Sequence, residues 1–236
     1  MSVSDRRRIL GPTNARPIQF APLNEDSKKI DTERKNLNKS VFIENGLVSN
    51  SNGSSYLETR DSNGIEYPTL LLTSVYGPRP TRGSFNSKAS LTIQFKEVTA
   101  ENFPTGELKE LCNFLTNIFN AVINLAGYPK SGIDIFLNLI QHEGPSGEYS
   151  REAILPTCIN GITLALVDAG IEIFDMVSAG SYNGTVVSFT KNGEEIVGLW
   201  KDTGDVEDLV ETIEKCKEQY YQNRSTMIKY LMQNKK

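Results

Sequence analysis

Residues 105–140 decide the fold, and they read TGELKELCNFLTNIFNAVINLAGYPKSGIDIFLNLI. The first part predicts an amphipathic helix, because its apolar residues recur at helical spacing, Thr105 suits an N-cap and Gly127 is placed to close the helix. The second part, GIDIFLNLI at 132–140, alternates and predicts a strand with one apolar face. The helix positions are Leu108, Leu111, Leu115, Ile118, Phe119, Val122 and Ala126, and the strand positions are Ile133, Ile135, Leu137 and Leu139.

Upstream of this stretch the sequence predicts four strands. Residues 42–60 read as strand, Asn/Gly/Ser turn and strand, residues 68–78 form an apolar run, and residues 91–98 alternate. We therefore expect the chain to open as a β-meander. Residues 1–40 contain three prolines and a polar run without apolar periodicity, which predicts an N-terminal arm with a polar insertion.

Downstream the pattern predicts a buried helix, three strands and a last helix. Pro156 suits the first turn of the buried helix, which ends at Gly170, and Asp205 suits the cap of a last helix that runs to about Met232. The three strands are IEIFDMV (171–177), TVVSF (185–189) and EIVGLW (195–200), the last two joined by an Asn-Gly pair typical of a type I′ turn. The order ββββ-α-β-α-βββ-α predicts a single α/β domain, with mixed β-sheets packed against helices.

Composition excludes several classes of function. The net charge of −4 does not favour a broad basic face for duplex nucleic acid. A single histidine excludes a two-histidine metal site, and three widely separated cysteines predict neither a disulfide framework nor a metal site. We predict no metal and no cofactor. Because no apolar run approaches the roughly 20 residues that cross a bilayer, we expect no membrane association and a protein that stays inside the cell.

Two groups of charged residues are candidates for function. Arg79 and Arg82 follow a predicted strand in a proline-stiffened loop, and guanidinium groups suit phosphate contact, although a solvated loop with incidental ion pairs explains them equally well. Asp168 and Asp175 flank a helix-to-strand junction and could do acid–base chemistry. No base accompanies them, so turn and cap roles are the favoured interpretation.

Several segments together resemble the RNase PH family, and in particular its ring subunits in the eukaryotic RNA exosome. They include DRRR near the start, YGPR, YPKSGIDI and ALVDAG, and they occur in the family's order. The resemblance runs from about Phe42 to the C-terminus, so the predicted domains are an arm at 1–40 and an RNase PH-like domain at 41–236.

The resemblance implies the fold of the family but not its catalytic activity. Active relatives use inorganic phosphate, held by basic and hydroxyl groups, to attack the terminal phosphodiester of RNA while aspartates assist. Here the position of one aspartate falls on Phe189, and the Ser/Thr-Arg phosphate holder falls on Ile154 and Leu155. We therefore expect no catalytic residues and an inactive homologue.

What the resemblance leaves is a structural role. It implies a six-membered ring with other RNase PH-like subunits, S1/KH-type RNA-binding cap subunits above it, and RNA passing through its channel. It also implies residence in the nucleus and nucleolus and in the cytoplasm. On this analogy, Arg79 and Arg82 would contact RNA or the caps.

Two alternatives remain open at this point. One is an active phosphate-dependent 3′–5′ exoribonuclease that uses rearranged residues, namely Arg151 with Asp168 or Asp175. The other is an independent single-stranded RNA-binding module that works through Arg79, Arg82 and Lys88.

Overall fold

The computed structural model describes residues 40–60, 68–96, 105–141, 151–201 and 209–233. The element order is ββββ-α-β-α-βββ-α, as predicted, with two further 3₁₀ turns at Leu125–Gly127 and Lys191–Gly193. Residues 1–39 of the predicted N-terminal arm and the predicted cap at Asp205 lie outside the described residues, and Ser40 already belongs to the first strand. The strands are β1 Ser40–Asn45, β2 Gly53–Arg60, β3 Thr69–Pro80, β4 Ser90–Phe95, β5 Ser131–Gln141, β6 Ser178–Tyr182, β7 Thr185–Thr190 and β8 Glu195–Lys201, and the helices are α1 Thr105–Val122, α2 Arg151–Asp168 and α3 Leu209–Gln233.

The strands form two sheets, with orders β1-β2-β3-β5-β4 and β6-β7-β8. Only the first three strands make the predicted meander. β5 lies between β3 and β4 and runs parallel to β4, because α1 connects the two and a parallel pair needs such a crossover. The α/β class with mixed sheets packed against helices is confirmed.

Helix α2 forms the centre of the domain. It packs against β2 and β3 on one side and against β6 and β7 on the other. Its residues from Ile154 to Leu166 are almost completely buried, which explains why this sequence is apolar on nearly every face. Helix α1 shares this layer and buries the predicted face that includes Leu111, Leu115 and Phe119.

Helix α3 covers the opposite face of the three-stranded sheet, mainly over β6 and β7. The approach is close at Gly180, where an added Cβ would lie 2.1 Å from the backbone oxygen of Cys216. Only glycine fits there. Val187, Phe189, Cys216 and Tyr220 form a small apolar cluster in this layer.

One predicted strand in the second half of the chain was placed wrongly. Residues 171–177 are not a strand: Ile173 makes one bridge to Ile123, and Phe174 N donates to Val122 O at 2.9 Å, so the segment bonds to the end of α1 instead of a ladder. The first strand of that sheet is SAGSY at Ser178–Tyr182, whose small residues allow the approach of α3.

Of three further predictions, the placements of Pro156 and Gly127 were wrong and the Asn-Gly turn was right. Pro156 lies inside α2, not in its first turn, because the helix starts at Arg151 and burial on both sides outweighs one lost backbone bond. Gly127 ends a 3₁₀ turn, and α1 itself ends at Val122. The predicted Asn-Gly turn is confirmed: Asn192 and Gly193 both have positive φ, and Glu194 N donates to Lys191 O.

Candidate functional site

The predicted RNA-contact residues lie where β3 meets β5. The sequence predicted Arg79 in a loop, but the structure places it at the end of β3. It pairs with Gly132, just past a break in register after Tyr76. Its guanidinium lies 4.9 Å from the centre of the Tyr76 ring, a cation–π contact. Arg82 lies in the exposed loop that follows.

This loop is tied to the chain that leads into β5. Thr81 N donates to Lys130 O at 3.1 Å, and Lys130 N donates to Asn86 O at 2.8 Å. Ala89 N donates to Leu125 O at 3.0 Å, which closes the loop at its far end. The backbone of the loop is therefore held at several points.

These backbone hydrogen bonds bring a further cation close to the loop that follows β3. Lys130 has an exposed side chain and positive φ, and it joins Arg79, Arg82 and Lys88 at this end of the sheet. Sequence reasoning missed Lys130, although the YPK element before β5 would have suggested it once β3 and β5 were known to pair. Phe85, in the same loop as Arg82 and Lys88, is 73% exposed.

The cations of this segment are not neutralised within the part of the chain that the structure describes. Neither Arg79 nor Arg82 has a carboxylate within 4.0 Å there, whereas Arg60, Lys191 and Arg224 do have such partners. Among the described residues the segment therefore presents positive charge without a paired carboxylate, in a protein whose net charge is −4.

The positions that the resemblance assigned to phosphate binding and acid catalysis are apolar and buried. Ile154 and Leu155 are 1% and 0% exposed inside the central core. Phe189 is 1% exposed and its ring centre lies 5.4 Å from that of Tyr220. Burial raises the pKa of the Tyr220 phenol, as expected beside an apolar neighbour.

Asp168 and Asp175 serve the backbone and are not brought together by any described contact. Asp168 accepts a hydrogen bond from Ser54 N at 2.9 Å and so joins the end of α2 to β2. Asp175 accepts from Lys191 N at 2.6 Å and from Arg224 Nη2 at 3.4 Å, which holds the β7–β8 turn against α3. These contacts match the structural roles favoured for both residues.

Other candidate groups are absent from the described ranges or fall outside them. Among the described residues no three His, Cys, Asp or Glu side chains gather where they could hold a metal ion. No helix in these ranges is long and apolar enough to cross a membrane. His142, the single histidine of the sequence, lies outside them.

Comparison with known proteins agrees with this geometry. The model of the 3′ exoribonuclease family, domain 1, matches residues 38–172. Mouse (Mus musculus) exosome complex component RRP41 is 31% identical over 193 residues, covering 75% of this chain and 71% of that protein. Schizosaccharomyces pombe exosome complex component mtr3 is 27% identical over 217 residues, covering 87% and 74%.

A solved structure shares the fold. Rice (Oryza sativa) Rrp46 superposes with a TM-score of 0.64 at 18% identity, covering 83% of this chain and 96% of the rice chain. The matched family model spans both the YGPR and the YPKSGIDI elements. The chain therefore belongs to the RNase PH family, the 3′ exoribonuclease family.

Proposed function

We propose that this chain is a ring subunit of an exosome core, of the mtr3 type, that supports 3′–5′ RNA processing and degradation without catalysing phosphorolysis. The observation that carries the proposal is its similarity to proteins named exosome complex components over about three quarters of its length or more. Its partners are other RNase PH-like subunits in the ring and S1/KH-type caps, and its location is the nucleus, nucleolus and cytoplasm. Residues 41–236 form the ring domain and residues 1–40 an arm.

Burial supports the absence of catalysis. Phosphorolysis needs donors that hold inorganic phosphate and an acid that serves the leaving group. Aliphatic and aromatic side chains offer neither a donor nor a proton. Ile154, Leu155 and Phe189 fill the corresponding positions and are at most 1% exposed, so no small rotation presents another group there.

The exposed cations support an RNA contact. Arg79 and Arg82 carry permanent charge and face solvent, and within the described ranges no carboxylate competes for them. Contacts of this kind to phosphate are independent of sequence and weaken with salt. This is what a channel that admits many RNAs requires.

Phosphate-dependent degradation tests the lack of activity. The full chain, alone and paired with an RNase PH-like partner that is itself inactive, is incubated with single-stranded RNA and inorganic phosphate. We expect no nucleoside diphosphate release and a stable pair. Diphosphate release that persists in the purified chain and disappears in Arg151→Ala would refute the inactive assignment, and failure to pair with any RNase PH-like subunit would refute the ring assignment.

Salt-dependent binding tests the RNA contact. In the assembled ring, Arg79→Gln/Arg82→Gln should reduce the salt slope for a single-stranded oligonucleotide by about 1.4, since each lost phosphate contact contributes about 0.7. Lys109→Gln/Lys229→Gln removes the same charge from exposed helix positions and should leave the slope nearly unchanged. Equal effects of the two pairs would mean that only net charge matters.

A further inference from the structure

The loop after β3 carries an aromatic side chain that takes no part in the core. Phe85 is 73% exposed, and within the described ranges no ring contact and no cation–π contact involves it. An exposed phenyl ring forgoes the free energy that burial would give it. A lone exposed apolar side chain is ordinary on a protein surface, so its surroundings decide whether it has a role.

Backbone hydrogen bonds hold Phe85 close to the cations of this region. Lys130 N donates at 2.8 Å to the carbonyl of Asn86, the residue after Phe85. Lys130 O accepts at 3.1 Å from the N–H of Thr81, the residue before Arg82. Phe85 and Arg82 are therefore each one residue from a backbone bond to the same lysine, whose own side chain is exposed.

Further bonds fix the shape of the loop. Lys88 N donates to Asn86 Oδ1 at 3.4 Å, and Thr81 Oγ1 donates to Lys130 O at 3.3 Å. Ala89, where the loop ends, is buried and bonded through its N–H to Leu125 O. A loop that is held at both ends and in its middle loses less conformational entropy when a ligand orders it.

The sequence around the ring is basic and contains no acid. Residues 77–91 read GPRPTRGSFNSKASL and residues 124–133 read NLAGYPKSGI, and neither stretch contains Asp or Glu. Across the described residues no carboxylate lies within 4.0 Å of any of their four cations, which are Arg79, Arg82, Lys88 and Lys130. A ligand for this surface is therefore anionic.

The exposed ring narrows the ligand to one that is also aromatic. Single-stranded RNA meets both conditions, because its phosphates pair with the cations and an unpaired base offers a flat π-face to a phenyl ring. In a duplex the bases are stacked on one another and do not reach a surface ring. A protein partner fits less well, since the centre of a protein interface is depleted of charge, whereas Phe85 is the only apolar residue among residues 81–88.

We propose that Phe85 stacks on an unpaired base of single-stranded RNA, while the four cations hold the phosphates on either side of that base. This inference rests on the RNA contact proposed above for Arg79 and Arg82, and it adds to that contact a site that takes a base. The site selects by strand state: a single strand binds better than a duplex, and any base is accepted because every base has a π-face.

Binding of two matched probes to the assembled ring tests the proposal. The probes are a short oligouridylate and a ribose-phosphate chain of the same length without bases, and inorganic phosphate is left out so that no phosphorolysis consumes them. Phe85→Ala should raise Kd about tenfold for the oligouridylate, the effect of one lost base–aromatic stack. For the base-free chain, Kd should rise by less than about twofold, because every phosphate contact remains.

The matched control is Phe174→Ala. Phe174 is 70% exposed, like Phe85, but it lies in the sequence between Glu172 and Asp175, where phosphate is disfavoured. Its removal should change neither Kd by more than about twofold.

Tryptophan at position 85 gives a direct signal. Phe85→Trp keeps a flat ring, so it should keep Kd for the oligouridylate within about threefold of the parent ring. Its emission should be quenched by the oligouridylate and not by the base-free chain. Subtracting the emission of the parent ring removes the contribution of Trp200.

Three results would overturn the assignment. They are an unchanged Kd in Phe85→Ala, an equal rise in Kd for both probes, and a shift of the Phe85→Trp emission on ring assembly before RNA is added. The last result would mean that a neighbouring subunit covers the ring. If Arg79→Gln/Arg82→Gln still lowers the salt slope, the proposed RNA contact stands without the stacking site, whereas an unchanged slope removes both.

Discussion

Replacing Phe189 by alanine tests whether this position serves packing. Its ring is 1% exposed and lies in a cluster with Val187, Cys216 and Tyr220, so truncation leaves a cavity that rigid neighbours on β7 and α3 cannot fill. A buried Phe→Ala change costs about 3–5 kcal/mol, and the ring contact with Tyr220 accounts for about 0.5–1.5 kcal/mol beyond its area. We expect a loss of about 4 kcal/mol in the free energy of unfolding.

The control is the same change at Phe174, which is 70% exposed. A substitution there should change the free energy of unfolding by no more than about 0.5 kcal/mol. For a chain of this size each kcal/mol shifts Tm by about 2–4 °C, so Phe189→Ala should lower Tm by about 8–16 °C and Phe174→Ala by about 2 °C or less.

Urea unfolding measures both variants with one signal. Trp200 is the only tryptophan, and its ring centre lies 5.3 Å from that of Phe114 on α1, so its fluorescence reports whether α1 and the three-stranded sheet remain packed. If Phe189→Ala and Phe174→Ala differ by less than about 1 kcal/mol, Phe189 is not a packing residue. The argument that a buried, packed Phe189 replaces the catalytic aspartate of active relatives would then fail.

Four further outcomes follow from close contacts and burial. Gly180→Ala should destabilise by about 2 kcal/mol or more in urea unfolding, because the new Cβ overlaps the backbone of Cys216, whereas Gly106→Ala, with nothing within 4 Å, should be neutral or stabilising by up to about 1 kcal/mol. With a thiol reagent at pH 8, only Cys112 should react in the folded chain, and slowly, because burial raises its pKa and the other two cysteines are fully buried. Burial also raises the pKa of the Cys158 thiol above its ordinary 9.0, so the stability it contributes is full below pH 9 and is lost as pH rises. Cys158→Ala should flatten that alkaline loss in unfolding measured from pH 7 to 11, and an unchanged slope would contradict the assignment.

Periodicity predicted the elements well because burial follows it in the central layer. The alternating face of β5 and the helical face of α1 are buried as the sequence indicated, since both press against the same core. Segment 171–177 was predicted as a strand because its apolar residues alternate, but this alternation reflects packing against the end of α1. The strand that follows, β6, consists mostly of small residues, which give no alternating apolar pattern in the sequence. Their small size allows α3 to pack closely against the strand.

The site was predicted in part, and the reason lies in tertiary pairing. The sequence identified Arg79 and Arg82, but it could not show that Arg79 belongs to β3 or that Lys130 joins them, because both facts depend on the register between β3 and β5. It also could not show that Ile154 and Phe189 are buried on different sides of the three-stranded sheet. Neither relationship is local in the chain.

The stacking of Arg79 on Tyr76 has a consequence for how the two arginines differ. A flexible side chain loses conformational entropy when a ligand orders it, and that loss subtracts from affinity. The Arg79 guanidinium is already oriented by an aromatic ring on the same strand, whereas Arg82 lies in a loop without a described ring contact. For equal charge, an approaching anion therefore gains more from Arg79, whose geometry is set before the ligand arrives.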